Sequence, residues 1–240
     1  MKTIGAPEGR RRMAAKEARI RALGLALALA TTGSGALPAS LHAQETDPRA
    51  LLENAGARYR EVQGFCAGFD QSLSVPLLGE TTYSSGTLCQ ARPNLFAMRF
   101  TDPAGDLLVA DGESFWVYYP SSDPGQVLQF SMEVRPGGVD FHREFLEAPG
   151  ERYELAYLGE EGLEGRQTHV ISARPREAAG FQEARIWLDA QRSLILRARI
   201  AMENGSVRTV TLSEITLNPP PDSARFAFTP PAGAQVIRRR

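Results

Sequence analysis

The stretch RPNLFAMRFTDPAGDLLVADGESFWVYYP, residues 92–120, decides the fold. It holds three short runs rich in strand-forming residues, 95–101, 107–110 and 114–119, and Asp111-Gly112 separates the last two. An Asp-Gly pair between apolar runs is a strong hairpin signal, because a type I′ turn needs positive φ at both central residues. The stretch therefore predicts an antiparallel meander.

Large apolar side chains occupy alternate positions in the first and last strands of this meander. They are Phe96, Met98 and Phe100, and then Phe115, Val117 and Tyr119. A strand that alternates in this way has one face toward an apolar space and the other toward water. The meander is therefore expected to form one wall of an apolar interior.

The first 43 residues have the pattern of a secretory signal peptide. Basic residues from Arg10 to Arg21 precede the apolar run Ala22–Ala30, and Ala43 offers a small residue at a cleavage point. The run is shorter than the roughly 20 residues of a membrane-spanning helix, which disfavours the alternative of an uncleaved anchor. We expect cleavage after residue 43 and one soluble domain over residues 44–240.

Removal of that segment makes the protein acidic. Of 27 basic and 28 acidic residues, seven and two lie in residues 1–43, which leaves 20 and 26 and a net charge of −6. Nucleic acid is therefore not an expected partner, because phosphate binding needs a basic face.

The only two cysteines, Cys66 and Cys89, both lie in the exported part. An even number of cysteines in an oxidising compartment favours a disulfide. If the turn between the first two strands centres on Leu77-Leu78, the two cysteines lie opposite each other and point away from the apolar face. The bridge is then expected on the convex side.

The remaining chain predicts a curved sheet of ten or eleven strands with two helical pieces. Asp47-Pro48 opens an amphipathic helix that Gly64 ends, and a short helix runs from Asp140 to Glu147 with Phe141, Phe145 and Leu146 on one side. Further strands are expected at 65–75, 82–91, 126–131, 152–158, 167–173, 181–188, 194–202 and 207–217. Residues 159–165 are expected to form a flexible connection, and Asn204-Gly205 is a second hairpin signal. Such a sheet cannot fill its own concavity, so helices must cover it.

Catalytic and metal-binding motifs are missing from the sequence. The exported part has only His142 and His169, without paired metal-ligand spacing, and it has no nucleophile elbow and no glycine-rich phosphate loop. Apolar and aromatic residues dominate instead, and a half-barrel lined with aromatic and Met side chains suits varied apolar ligands. We expect a protein without metal or cofactor that is not an enzyme.

The sequence resembles the periplasmic outer-membrane lipoprotein carrier family, LolA. The matching motifs are Arg92-Pro93-Asn94-Leu95-Phe96, Leu108 to Pro120 with Gln126-Val127, Phe65-x-x-x-Phe69-x-Gln71, and Ala224 to Gly233. Together they span most of residues 47 to 237. The resemblance implies an α+β fold that is mainly β: an incomplete, strongly curved antiparallel β-barrel with a helical lid over a hydrophobic cavity.

The resemblance also implies a function and its residues. A periplasmic carrier of this kind takes acylated lipoproteins from an inner-membrane ABC transporter and delivers them to the outer membrane, where a receptor is a possible partner; we expect it to act as a monomer. Arg92 matches the arginine that holds the lid by hydrogen bonds to backbone carbonyls. The expected acyl-chain cavity is lined by Phe65, Phe69, Leu88, Phe96, Met98, Phe100, Phe115, Val117 and Phe130.

Two alternatives stay open at the level of sequence. The first is a related lipid-binding module of the same fold, such as an outer-membrane receptor, an envelope-stress sensor or a carrier of another lipid. The second is a secreted hydrolase whose catalytic residues are dispersed along the chain. Polar residues with perturbed pKa values converging in the pocket would favour the hydrolase.

Overall fold

A computed structural model describes the backbone of residues 46–132 and 141–239. It also describes their side chains, except those of residues 141–143. The first half contains helix α1 and six strands: α1 Pro48–Glu61, β1 Gly64–Val75, β2 Glu80–Ala91, β3 Leu95–Asp102, β4 Leu107–Ala110, β5 Ser114–Tyr118 and β6 Gln126–Ser131. The second half comprises α2 Phe141–Leu146, α3 Pro149–Arg152, β7 Tyr153–Leu163, β8 Arg166–Pro175, β9 Phe181–Asp189, β10 Ile195–Met202, β11 Val207–Leu217, a 3₁₀ helix Ser223–Phe226 and β12 Gln235–Arg239.

All the described strands belong to one open and strongly curved sheet, in the order β12-β6-β5-β4-β3-β2-β1-β11-β10-β9-β8-β7. Neighbouring strands are antiparallel except β12, which pairs in parallel with β6. The predicted fold class, mainly β with a curved incomplete barrel, is confirmed. The predicted ten or eleven strands were too few, because β12 was not recognised.

The two faces of this sheet bury different sets of side chains. The larger apolar cluster lies on one face and includes residues from β1 to β5, from β8 to β11 and from helices α1 and α2. A smaller cluster on the other face joins Cys89, Ala97, Leu107 and Val109 to Phe226 of the 3₁₀ helix. We call the first face concave, because the helices lie against it, and the second convex.

Helix α1 begins as predicted and ends earlier than predicted. The Asp47 side chain accepts a hydrogen bond from the Arg49 amide at 2.9 Å, and Pro48 is the first helical residue. The helix stops at Glu61, however, and Gly64 is the first residue of β1. A Cβ at Gly64 would lie 2.5 Å from the Gln90 carbonyl oxygen, so this glycine permits strand pairing and is not a helix cap.

The two predicted type I′ turns were wrong in type, although both connect hairpins. Gly112 and Gly205 have φ of 101° and 82°, but Asp111 and Asn204 keep negative φ. Each of these polar side chains instead accepts the amide of the residue two positions on. The side chain thus supplies a bond that a type I′ backbone turn would have made.

The predicted flexible connection at residues 159–165 was also wrong. Strand β7 continues to Leu163 and β8 begins at Arg166, so that the turn is only Glu164-Gly165. The pairing register shifts between Tyr157 and Gly159, and Gly159 has φ 117°. Gly159 therefore marks a β-bulge inside a long hairpin.

The predicted helix at residues 140–147 corresponds to α2, and its first residue, Asp140, lies outside the described residues. Helix α3 was not predicted; Ala148 at φ 47° ends one helical segment before Pro149 starts the next. The predicted signal peptide also lies outside the described residues. Within residues 46–132 and 141–239, no helix has both the length and the apolarity needed to cross a membrane.

Candidate functional site

The concave face gathers all the residues that the sequence suggested for an apolar cavity. Eight of them are at most 9% exposed, and Phe130 is half-buried and packs against the same cluster. The eight are Phe65, Phe69, Leu88, Phe96, Met98, Phe100, Phe115 and Val117. Strand register explains their meeting: Leu88 pairs with Met98, which pairs with Leu108. Directly opposite residues project from the same face.

Aromatic rings form the first-half wall of this face. The Phe69 and Phe100 rings lie 5.1 Å apart in an edge-to-face arrangement. Phe115 lies between Phe96 and Phe130, with centroid distances of 6.3 Å and 6.4 Å. Large planar side chains of this kind can separate without breaking hydrogen bonds, so the wall is suited to accommodating an apolar guest.

The second half of the sheet contributes an opposite wall that sequence reasoning did not single out. Its buried members include Tyr153, Ile171, Phe181, Ile186, Ile200 and Leu212. A sequence signal for this wall was present, because apolar residues alternate along β9. Its residues Phe181, Ala184, Ile186 and Leu188 are buried in the concave cluster. The aromatic residues of this wall, Tyr153 and Phe181, meet Phe145 in the structure but are far apart in sequence, so they formed no recognisable motif.

Two helices cover the concave face. Leu52 and Ala55 of α1 and Phe145 of α2 are fully buried in the concave cluster. The two helices approach closely at Gly56, where a Cβ would lie 2.8 Å from the Leu146 carbonyl oxygen. Any residue larger than glycine at this position would push the helices apart.

Arg92 holds the carboxyl end of α1. Its Nε donates to the Val62 carbonyl oxygen at 2.8 Å, and its Nη2 donates to the Tyr59 carbonyl oxygen at 3.0 Å. The guanidinium also lies 5.8 Å from the centroid of the Tyr59 ring. A cation at a helix C-terminus meets the negative end of the helix dipole and satisfies carbonyls that lack a partner within the helix. The carbonyls bound by Arg92 therefore lie in the last turn of α1 and at its C-cap residue, Val62.

Helix α2 is held by the last residue of α3 and the first residue of β7. Arg152 donates to the Glu144 carbonyl oxygen at 2.6 Å and to its carboxylate at 2.7 Å. The Tyr153 hydroxyl donates to the same two acceptors at 3.0 Å and 2.6 Å. Burial, followed by the bond to Glu144, raises the pKa of Tyr153 far above its ordinary value. The hydroxyl is therefore protonated at neutral pH and donates to Glu144.

The convex face carries the disulfide. Cys66 and Cys89 are directly paired on β1 and β2 and are bonded, as the spacing about Leu77-Leu78 predicted. Both belong to the convex cluster. Arg99, on the neighbouring strand β3, donates to the carbonyl oxygens of Arg225 at 3.2 Å and Ala227 at 2.7 Å. The C-terminal segment is thus fastened to the convex face much as α1 is fastened by Arg92.

The turn after β4 is organised by one carboxylate. Asp111 accepts from the amides of Ser114 at 2.8 Å and Glu113 at 2.9 Å, and from the Trp116 indole nitrogen at 2.7 Å. Burial opposes ionisation of this group, but these hydrogen bonds outweigh it and hold the pKa of Asp111 below its ordinary value. The Asp111 carboxylate therefore stabilises this turn and faces away from the concave cluster.

His169 lies on β8 and contacts Tyr157 of β7. The His169 Nδ1 lies 3.2 Å from the Tyr157 hydroxyl on the neighbouring edge strand, and the His142 side chain is outside the described part of the structure. Among the described residues, no group of three or more His, Cys, Asp or Glu side chains could hold a metal ion.

Comparison with known proteins bears on this arrangement. Residues 60–139 match the family model for the outer membrane lipoprotein carrier protein LolA, and they include α1's end, Arg92 and the first-half wall. This stretch of the chain is similar to the LolA family. The resemblance drawn from the sequence motifs is thus confirmed.

Two relatives carry the name outer-membrane lipoprotein carrier protein. The protein from Legionella pneumophila (strain Lens) is 28% identical over 184 residues, covering 76% of this chain and 87% of the relative. The protein from Methylibium petroleiphilum is 27% identical over 183 residues, covering 74% of this chain and 84% of the relative.

Residues 127–229 match a second model, the MucB/RseB N-terminal domain. Among solved structures, an uncharacterized conserved protein from Thermus thermophilus shares the fold with a TM-score of 0.52. It is 16% identical, and the match covers 79% of this chain and 98% of that one.

Proposed function

We propose that this protein is a periplasmic carrier that binds the acyl chains of lipoproteins released from the inner membrane and delivers them to the outer membrane. The observation that carries the proposal is the continuous apolar concave face, walled by both halves of the sheet and covered by α1 and α2. The function is transport and not catalysis, since such a surface binds chains without a reactive group. The relation to proteins named outer-membrane lipoprotein carriers supports the same function.

The physical need for such a carrier follows from the cost of exposing acyl chains. Three chains of about 16 carbons would expose apolar surface costing on the order of 30 kcal/mol, at roughly 0.8 kcal/mol per methylene. A lipoprotein with such chains cannot cross the aqueous periplasm unshielded. The concave face offers aromatic and thioether side chains, which adapt to a flexible guest.

Loading requires a helix to move, because the concave side chains are almost completely buried. Phe65 and Met98 are 2% and 0% exposed, so acyl chains cannot reach them in this state. We infer that α1 swings outward when cargo enters, and that Arg92 is the latch that it leaves and regains. The regained bonds then favour release to a receptor in the outer membrane.

The proposed partners are an inner-membrane ABC transporter as the donor and, at the outer membrane, a lipoprotein receptor as the acceptor. The mature protein is expected to travel as a monomer. The test is to purify it from the periplasm and identify co-purified molecules by mass spectrometry. Acylated proteins support the proposal, and a Phe96→Glu variant should carry less of them; a parent protein that carries no acylated species contradicts it.

The match of residues 127–229 to the MucB/RseB N-terminal domain favours a second candidate, a sensor module of the cell envelope. The same apolar interior would then hold a lipid as a signal and not as cargo. A pulse-chase transfer assay separates the two, because a carrier depletes lipoproteins from inner-membrane vesicles and a sensor does not.

A further inference from the structure

A charged side chain lies on the otherwise apolar concave face. Arg208 of β11 is paired directly with Leu73 on β1 and with Ile200 on β10, and Ile200 is 1% exposed within the concave cluster. Since directly opposite residues share a face, the Arg208 side chain leaves the sheet on the same side as the aromatic wall.

Arg208 belongs to a polar cluster with Gln71 and Tyr119. Its Nε donates to the Gln71 Oε1 at 2.7 Å, and the Gln71 Nε2 donates to the Ser84 hydroxyl at 3.1 Å. Burial raises the pKa of Tyr119, and the positive charge of Arg208 acts against this rise. The cluster thus brings together a guanidinium, an amide and a phenol.

The polar cluster adjoins the apolar wall. The Arg208 Nη2 lies 4.0 Å from the Met98 sulfur, and a thioether is a weak acceptor. The Tyr119 ring packs edge-on against Phe100 at 6.2 Å and remains 39% exposed. A ligand oxygen bound to the guanidinium would have its next atoms near Met98 and Phe100.

The polar cluster and the Arg92 contact lie toward opposite ends of β1. Arg92 follows Ala91, which pairs with Gly64 at the start of β1, whereas Gln71 lies four residues before the last residue of that strand. The concave face therefore has a helix-covered end and an end with hydrogen-bond donors. An acyl ligand has the same two parts, a hydrocarbon chain and a head with carbonyl or carboxylate oxygens.

We propose that Arg208, with Gln71 and Tyr119, binds the carbonyl or carboxylate oxygens of an acyl ligand while its chain lies along Met98 and Phe100. This inference rests on the proposed function for chain binding and adds a ligand class: acyl groups with an oxygen-bearing head, in preference to plain hydrocarbons. A guanidinium is unfavourable on a face that binds only hydrocarbon, because burial of the Arg208 charge costs free energy and lowers the pKa of Arg208. Five N–H donors in a planar fork suit carboxylate and ester oxygens.

The experiment compares two probes on the parent protein and on Arg208→Met. Palmitate supplies a chain and a carboxylate, and N-phenyl-1-naphthylamine supplies an uncharged apolar fluorophore; palmitate affinity is read from displacement of the fluorophore. The variant should bind palmitate about tenfold more weakly, the effect of one charge-assisted hydrogen bond, and should bind the fluorophore as the parent does. Arg199→Met, an exposed arginine one position before Ile200 on the opposite face, is the matched control and should change neither affinity.

The outcomes separate this inference from the proposed function. If the parent protein binds neither probe, the proposed function fails. If Arg208→Met binds palmitate as tightly as the parent, only the role of Arg208 fails. If Arg208→Met unfolds, the same two affinities are measured on Arg208→Lys and Gln71→Leu. A selective loss of palmitate affinity supports the site. An equal change in affinity for both probes shows that the cluster only stabilises the fold.

Discussion

Arg92 donates a hydrogen bond of 3.0 Å to the carbonyl oxygen of Tyr59, which is also the acceptor for the Val62 amide at the end of α1. This contact joins the first hairpin of the sheet to the helix that covers the concave face. Its donor lies at the protein surface, so its contribution to stability is modest and it can be broken reversibly.

Replacement of Arg92 by Leu should impair release more than loading. The change removes both bonds to the Tyr59 and Val62 carbonyls and keeps apolar bulk, so the covering helix is easier to open and less able to drive cargo out. We expect acyl binding to persist and delivery to outer-membrane vesicles to slow by about tenfold. A transfer assay with a labelled lipoprotein measures both steps.

The matched control for Arg92 is Arg99→Leu. Arg99 also donates to two backbone carbonyls, those of Arg225 and Ala227, but on the convex face. This variant should lose stability without a defect in release. Equal release rates for the parent and Arg92→Leu would show that Arg92 only caps the helix.

A carboxylate at Phe96 should weaken acyl binding strongly. Phe96 is 1% exposed and packs near Phe115, so Phe96→Glu places an unpaired charge where chains are proposed to lie. Binding of a fluorescent fatty acid measures the effect. Leu158→Glu, at a side chain that is 48% exposed on β7, also replaces an apolar side chain by a carboxylate and should bind as the parent does.

Removal of the disulfide should cost stability and spare binding. Replacing Cys66 and Cys89 by Ser frees a loop with a sequence separation of 23 residues, and the free energy of unfolding should fall by about 2 to 4 kcal/mol. Because both sulfurs belong to the convex cluster, acyl affinity at a temperature where the variant is folded should match that of the parent. Urea unfolding and thiol titration of the denatured parent, which should show no free thiol, are the measurements.

Asp111 should make the protein lose stability in acid. Its pKa in the folded state is lowered from the ordinary 3.8, so the unfolded chain binds more protons in this range. The stabilisation is complete above the unfolded pKa and is lost as pH falls through the folded one. The urea midpoint should therefore drop between pH 5 and pH 2, and less steeply in Asp111→Asn than in the parent.

The comparison for Asp111 is Glu203→Gln, at an exposed turn position after β10. This variant should keep the acid dependence of the parent. An unchanged dependence in Asp111→Asn would assign the acid transition to other carboxylates, of which Asp189 is the first candidate, because hydrogen bonds from Arg192, Gln191 and Arg166 outweigh its burial and lower its pKa.

Local pattern predicted most of the first half of the sheet. Alternating Phe96, Met98 and Phe100 identified the buried face of β3, and the distance of each cysteine from Leu77-Leu78 gave the register of β1 and β2. Both signals depend only on near neighbours in sequence. Strand β12 gave no such signal, because its five residues pair in parallel with the distant β6.

Features that depend on distant contacts were missed for the same reason. The Arg92 side chain was expected to bind backbone carbonyls, but only the fold shows that these belong to Tyr59 and Val62. Arg208 looks like any polar residue of an alternating strand, and its place on the concave face follows from pairing with Leu73 and Ile200. Spacing in sequence cannot report which walls a curved sheet brings together.

The pairing of β1 with β11 has a consequence for how the chain folds. Phe65 pairs with Leu217, so the middle of the sheet forms between strands far apart in sequence, while the hairpins on either side are local. Ordering such a long intervening chain is slow, because loop-closure entropy is lost before the contact is made. A chain that emerges amino end first must hold β1 with one bare edge until β11 arrives, and we expect that interval to be when it is most prone to aggregate.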